Sequence, residues 1–143
     1  MKRKLLIVIL GFSFFIFMGW LGGLLSSIEP HTPSAAVQSA QAGPYQITLQ
    51  VNPNPPLLTR PATLTLQIVR KDSGQLVSHA QVVVESTMVD MDMGTDQVNA
   101  HYQDNGLYLS QVQFTMSGPW GIRVLVTEPG MRTESATFEV TAQ

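Results

Sequence analysis

Tyr45-Gln46-Ile47-Thr48-Leu49-Gln50-Val51 alternates without a break, with Tyr45, Ile47, Leu49 and Val51 on one face and Gln46, Thr48 and Gln50 on the other. Successive side chains of an extended chain point to opposite faces, so this pattern specifies a strand with one buried and one wet side. The period repeats downstream. Ala62 to Val69 places Leu64, Leu66 and Ile68 inward, and Ala80 to Glu85 forms a third run. Asp96 to Gln103 is a short candidate, while Leu107 to Met116 is long and sets Tyr108, Ser110, Val112, Phe114 and Met116 on one face. Trp120 to Val126 and Thr133 to Thr141 complete the set. Turn formers separate the runs: Asn52-Pro-Asn-Pro-Pro56, Lys71-Asp-Ser-Gly74, Asp104-Asn-Gly106, Ser117-Gly-Pro119 and Glu128-Pro-Gly130. Proline cannot donate to a ladder and glycine supplies unusual backbone angles, so each cluster ends a strand. About seven short strands with no helical period describe an all-β fold, an immunoglobulin-like antiparallel β-sandwich.

Upstream, the composition changes twice. Lys2, Arg3 and Lys4 precede Leu5 to Leu25, an apolar run whose one polar member is Ser13. Twenty-one residues at about 1.5 Å each span roughly 30 Å, the thickness of a bilayer core. Residues 1–25 therefore read as a single N-terminal transmembrane helix. The basic flank stays cytoplasmic and the rest of the chain lies on the periplasmic side of the cytoplasmic membrane. A cleaved signal sequence is the competing reading, but the clearest small-residue site, Ala40-Gln41-Ala42, falls far beyond the run. Residues 26–44 are rich in Ser, Ala, Gln and Pro and read as a flexible linker. The globular domain is expected over 45–143.

Charge and cysteine content narrow the function. From Gly43 onward, five basic residues stand against nine acidic ones, leaving the segment at −4. Phosphate neutralisation needs clustered Lys and Arg, so nucleic acid is not an expected partner. The chain has no cysteine, which removes a disulfide scaffold, a thiolate metal site and a Cys nucleophile. No nucleophile–base pair is in register either, so the chain does not read as an enzyme.

What remains is sulfur of another kind. Ser86-Thr-Met-Val-Asp-Met-Asp-Met-Gly-Thr95 places Met88, Met91 and Met93 within six positions, with Asp90 and Asp92 between them. A thioether needs no deprotonation to bind a soft ion, and such ligands select Cu(I). Residues two apart on an extended segment project to the same side about 6.5–7 Å apart, so Met91 and Met93 can close on one ion. Met88 joins if the chain bends at Val89, and Met116 supplies a further sulfur. His101 offers an imidazole if its strand end lies nearby. The plainer reading of Met116 is core filler, whereas Met88, Met91 and Met93, interleaved with two aspartates, are poor core material because the acids would have to be buried with them. The plainer reading of the cluster is a protein-docking surface.

Met91-Asp-Met-Gly-Thr95, then Asn105-Gly-Leu-Tyr108, then Phe114-Thr-Met-Ser-Gly-Pro-Trp120 resembles the YtkA-like domain family, whose pattern runs Met-x-Met-Gly, Gly-x-Tyr and Met-x-Gly-x-Trp. The resemblance covers about Val51 to Val140. It implies an exported or membrane-anchored β-sandwich associated with copper resistance, copper delivery or assembly of respiratory oxidases, as in the related FixH group. It also implies a membrane partner such as a copper transporter or a respiratory oxidase. The positions carried over are Met91, Met93 and Met116, with Met88 by proximity. The histidine that often accompanies this loop in relatives is not adjacent here, which disfavours a mixed Met/His site and Cu(II).

Overall fold

A computed structural model describes residues 33–143. The expected transmembrane helix over 1–25, and the linker as far as residue 32, lie outside the described residues. Within them the chain is all-β and antiparallel, without a helix. Eight strands follow one another: β1 (Val37–Ala42), β2 (Tyr45–Asn52), β3 (Ala62–Arg70), β4 (Gln81–Met88), β5 (Asp96–Tyr102), β6 (Leu107–Val112), β7 (Gly118–Thr127) and β8 (Glu134–Ala142). They hydrogen-bond in the order β1-β2-β3-β6-β5-β4-β7-β8.

The period-2 reading of the core holds residue by residue. Ile47, Leu49, Leu64, Leu66, Ile68, Phe114, Ile122, Val124, Val126 and Val140 are fully enclosed, with Tyr45, Tyr108, Val82 and Val84 beside them. The sheet wraps until its outermost strands meet. Gln38 Nε2 donates to the Glu139 carbonyl at 2.7 Å, and Thr141 N–H donates to Ser34 Oγ at 3.2 Å. One apolar interior thus lies between two sandwich-like halves. Strand β5 joins those halves by changing partners. Its first part pairs with β4, from Ser86↔Asp96 to Val82↔Ala100. Its last two residues pair with β6, as His101↔Leu109 and Tyr102↔Tyr108.

Three boundaries differ from the sequence reading, each for a physical reason. Strand β1 lies inside the segment assigned to the linker and makes eight strands rather than about seven. Its inward residues are small, Ala40 and Ala42, so it carries little hydrophobic signal. The Gly43-Pro44 turn, with Gly43 at φ 53, closes it as a hairpin with β2 through Ala42↔Tyr45. Strand β4 runs on past Glu85, because Ser86 and Met88 continue the inward set of Val82 and Val84. Strand β6 stops at Val112, short of Met116, and Gly118 and Pro119 open β7 rather than forming a separate turn. Proline is tolerated there because its carbonyl does the pairing, accepting Val89 N–H at 3.0 Å.

Candidate functional site: the methionine-bearing end

The register places the root of the methionine segment beside Trp120. Met88 is the last residue of β4 and sits opposite Trp120 on β7. Its side chain is 8% exposed and belongs to the core. Its Cε lies 3.0 Å from where a Cβ on Gly118 would stand, so glycine at 118 makes room for it. Met116 is partly buried against the same core. Its carbonyl accepts the Trp120 indole N–H at 3.0 Å. Trp120 in turn packs edge-on to Phe114, with ring centroids 5.3 Å apart and planes at 83°. Met88 and Met116 therefore flank one buried tryptophan whose N–H is already used in holding the β6–β7 connection.

Beyond Met88 the chain leaves the sheet over 89–95. The loop is fixed at both ends: Val89 N–H bonds the Pro119 carbonyl, and Thr87 Oγ1 donates to the Gly94 carbonyl at 3.1 Å. Inside it, Met93 N–H returns to the Met91 carbonyl at 3.1 Å, a tight turn about Asp92. Gly94, at φ 86, supplies the left-handed conformation that brings the chain back to β5. Met91 is 42% exposed and Met93 56%, and Val89 between Met88 and Asp90 is exposed as well. Asp90, Asp92 and Asp96 are exposed around them, giving the loop a negative rim that attracts cations.

The four candidate sulfurs thus fall into two classes. Met91 and Met93 offer free thioethers on a short pinned loop, while Met88 and partly buried Met116 spend theirs on packing in and against the core. Soft, neutral, solvent-reachable donors fit Cu(I). Among the described residues, no group of three or more His, Cys, Asp or Glu is placed to hold a metal ion. His101 stands elsewhere. It lies five residues along β5 from Asp96, about 16 Å at strand rise, and lines a cleft between β5 and β6.

A sequence model of the YtkA-like family matches residues 39–125, which takes in β1 to most of β7 and every candidate ligand. The chain belongs to the YtkA-like family. No curated protein matches it. The match begins inside β1, in agreement with the ordered sheet starting earlier than composition indicates.

The sequence reading missed two features. One is the β5–β6 cleft, which follows from a change of strand partner that no local pattern announces. The other is a polar cluster on the far side of the fold, where Arg70 meets Glu128 at 2.6 Å beside Tyr45 and Met131. The Glu128-Pro-Gly130 turn was the available signal, and it specified only a turn.

Proposed function

We propose that this YtkA-like protein is an extracytoplasmic copper-handling protein. It is anchored in the cytoplasmic membrane through 5–25, with an immunoglobulin-like arrangement of β2-β3-β6 against β5-β4-β7-β8, and it binds Cu(I) weakly through methionine. Met91 and Met93 are the primary ligands. Met116 is the next sulfur available at the same end, and Met88 joins only by leaving its contact with Gly118. The observation that supports this reading is the pair of exposed thioethers on a loop fixed at Val89 and Gly94. A pinned loop limits the ordering cost of closing two side chains on an ion. Neutral thioethers bind without releasing protons, so affinity is expected to be nearly flat with pH. That suits exchange with a copper transporter or a respiratory oxidase during delivery, resistance or assembly better than storage.

The test is Met91→Leu/Met93→Leu in the full chain, competed for Cu(I) against a chromophoric chelator. Affinity should fall at least tenfold with the far- and near-ultraviolet circular dichroism unchanged. Equal competition by the variant and the parent chain would remove the metal reading. A second reading rests on the same exposed side chains: Val89, Met91 and Met93 form an apolar tip of the kind that docks a protein partner. It predicts a membrane complex that survives a copper chelator.

A further inference from the structure

We infer that the cleft between β5 and β6 is a peptide-binding groove, distinct from the methionine loop, which takes an extended, uncharged segment of a partner protein as an added strand. The ladder register dictates where the main-chain groups point. Gln103 N–H bonds the Leu107 carbonyl at 2.7 Å, and His101 pairs with Leu109. Alternate residues of a strand bond to the same side. Odd-numbered residues of β5 and β6 therefore direct N–H and C=O towards each other. The even-numbered ones serve the outer neighbours: Val98 and Ala100 face β4, and Ser110 and Val112 face β3. The same parity accounts for the Val89 N–H to Pro119 carbonyl bond at the opposite edge of β4.

Above His101↔Leu109 the two strands separate, since β5 continues with β4 while β6 continues with β3. Asn99 on one wall and Gln111 on the other are left facing the gap with no ladder partner across it. The gap encloses about 350 Å³, the small end of the range for ligand sites and room for about three extended residues. Thr63, Val98, His101, Leu109 and the amide side chains of Asn99, Gln103 and Gln111 line it, with no Asp, Glu, Lys or Arg among them.

Ser110 adds a second, independent sign. It lines the same cleft and is 4% exposed, yet its hydroxyl has no hydrogen-bond partner. A buried hydroxyl without a partner is costly, and alanine would fit the position. A segment entering the gap supplies that partner from its own backbone or from a Ser or Thr side chain. It also pairs with the main chain of Asn99 and Gln111. The other edges are guarded: β1 and β8 lie against each other through Gln38 and Glu139. Sheets that protect their outer edges and leave one internal edge open are set up for strand addition there.

The probe is an acetylated, amidated Thr-Ser-Val-Ser-Thr pentapeptide, added to the full chain in detergent micelles while amide hydrogen exchange is followed by NMR. Exchange at Asn99 and Gln111 should slow saturably, with no change at Val89 to Gly94. Gln111→Pro removes one N–H that faces the gap and spares the β3 ladder, and it should abolish the effect. Ser110→Ala should leave the melting temperature equal or higher and weaken peptide binding several-fold, and it decides the matter if the proline variant fails to fold. No slowing at about 5 mM peptide, equal binding by Ser110→Ala, or protection at β1 or β8 instead would overturn the proposal. So would protection that rises with protein concentration without peptide, which would make the occupant a second copy.

Discussion

The β4–β5 loop exposes two methionines and the β7–β8 turn one, and they are used in opposite ways. Met91 and Met93 project from a loop whose hydrogen bonds are all main-chain or threonine contacts, and no described hydrogen bond reaches their sulfurs. Met131 is as exposed, at 51%, yet its Sδ accepts the Tyr45 hydroxyl at 3.7 Å beside the Arg70–Glu128 pair. Exposure alone therefore does not make a thioether available. What differs is whether a neighbouring donor already occupies the sulfur. Met88, buried at the root of the first loop, is a third case in which packing rather than a hydrogen bond holds it.

That contrast makes the largest expected effect a stability effect. Met88→Ala removes a buried side chain from the corner formed by Trp120 and Gly118, and large-to-small core changes of this kind cost about 2–5 kcal/mol. Met91→Ala, three residues on, should stay within about 0.5 kcal/mol, as surface changes do. Urea unfolding of the two variants measures both. If Met88→Ala proved as mild as Met91→Ala, Met88 would be a free ligand rather than a core residue. The loop pair shows the reverse preference, since Met91→Leu/Met93→Leu costs little stability and at least about 1.4 kcal/mol of Cu(I) affinity, a tenfold change. Met131→Leu should leave that affinity untouched.

The far cluster carries its own pH signature. Tyr45 is 1% exposed. Burial first, and then the neighbouring Glu128 carboxylate, push its phenol up to about 12 from the usual 10. A phenol whose folded value lies above its unfolded one contributes stability that is fully present below pH 10. That stability is lost as pH rises through 12, by about 3 kcal/mol in all. Ultraviolet titration of tyrosinate should show Tyr45 ionising late, and Tyr45→Phe should flatten the loss of stability between pH 10 and 12. Tyr108 is raised as well by burial, so one late-titrating tyrosine should remain in that variant.

Much of the fold was legible because it is written in one period. Tyr45 to Val51 and Leu64 to Ile68 alternate with large apolar residues, and every inward position they specify is buried. Strand β1 was not legible, since alanine at 40 and 42 contributes too little contrast to outweigh the linker-like Ser and Gln around it. The site was legible in composition and not in depth. Three methionines in six positions mark the loop, but whether the first belongs to the strand depends on Ser86, a polar residue that continues the inward face. The cleft was out of reach because a change of partner along β5 is a property of the sheet. His101 looks like any strand residue until its neighbours on β6 are known.

The smallest expected effect tests whether the Tyr45 hydroxyl depends on the Met131 sulfur. Glu128 bonds Arg70 through Oε2, while its Oε1 is buried with no hydrogen-bond partner. Tyr45 thus has two acceptors within its reach and donates to the softer one. Met131→Leu removes that acceptor, and the hydroxyl then turns to Oε1, giving a buried carboxylate oxygen the donor it lacks. A weak hydrogen bond to sulfur is exchanged for a charge-assisted one, which offsets the lost contact. The variant should unfold within about 0.5 kcal/mol of the parent chain, with Tyr45 still titrating near 12. A loss well beyond that, or a tyrosine that titrates at its ordinary value, would mean that the sulfur positions the phenol and Glu128 does not. Met131 would then be a structural methionine, as fully committed as Met88.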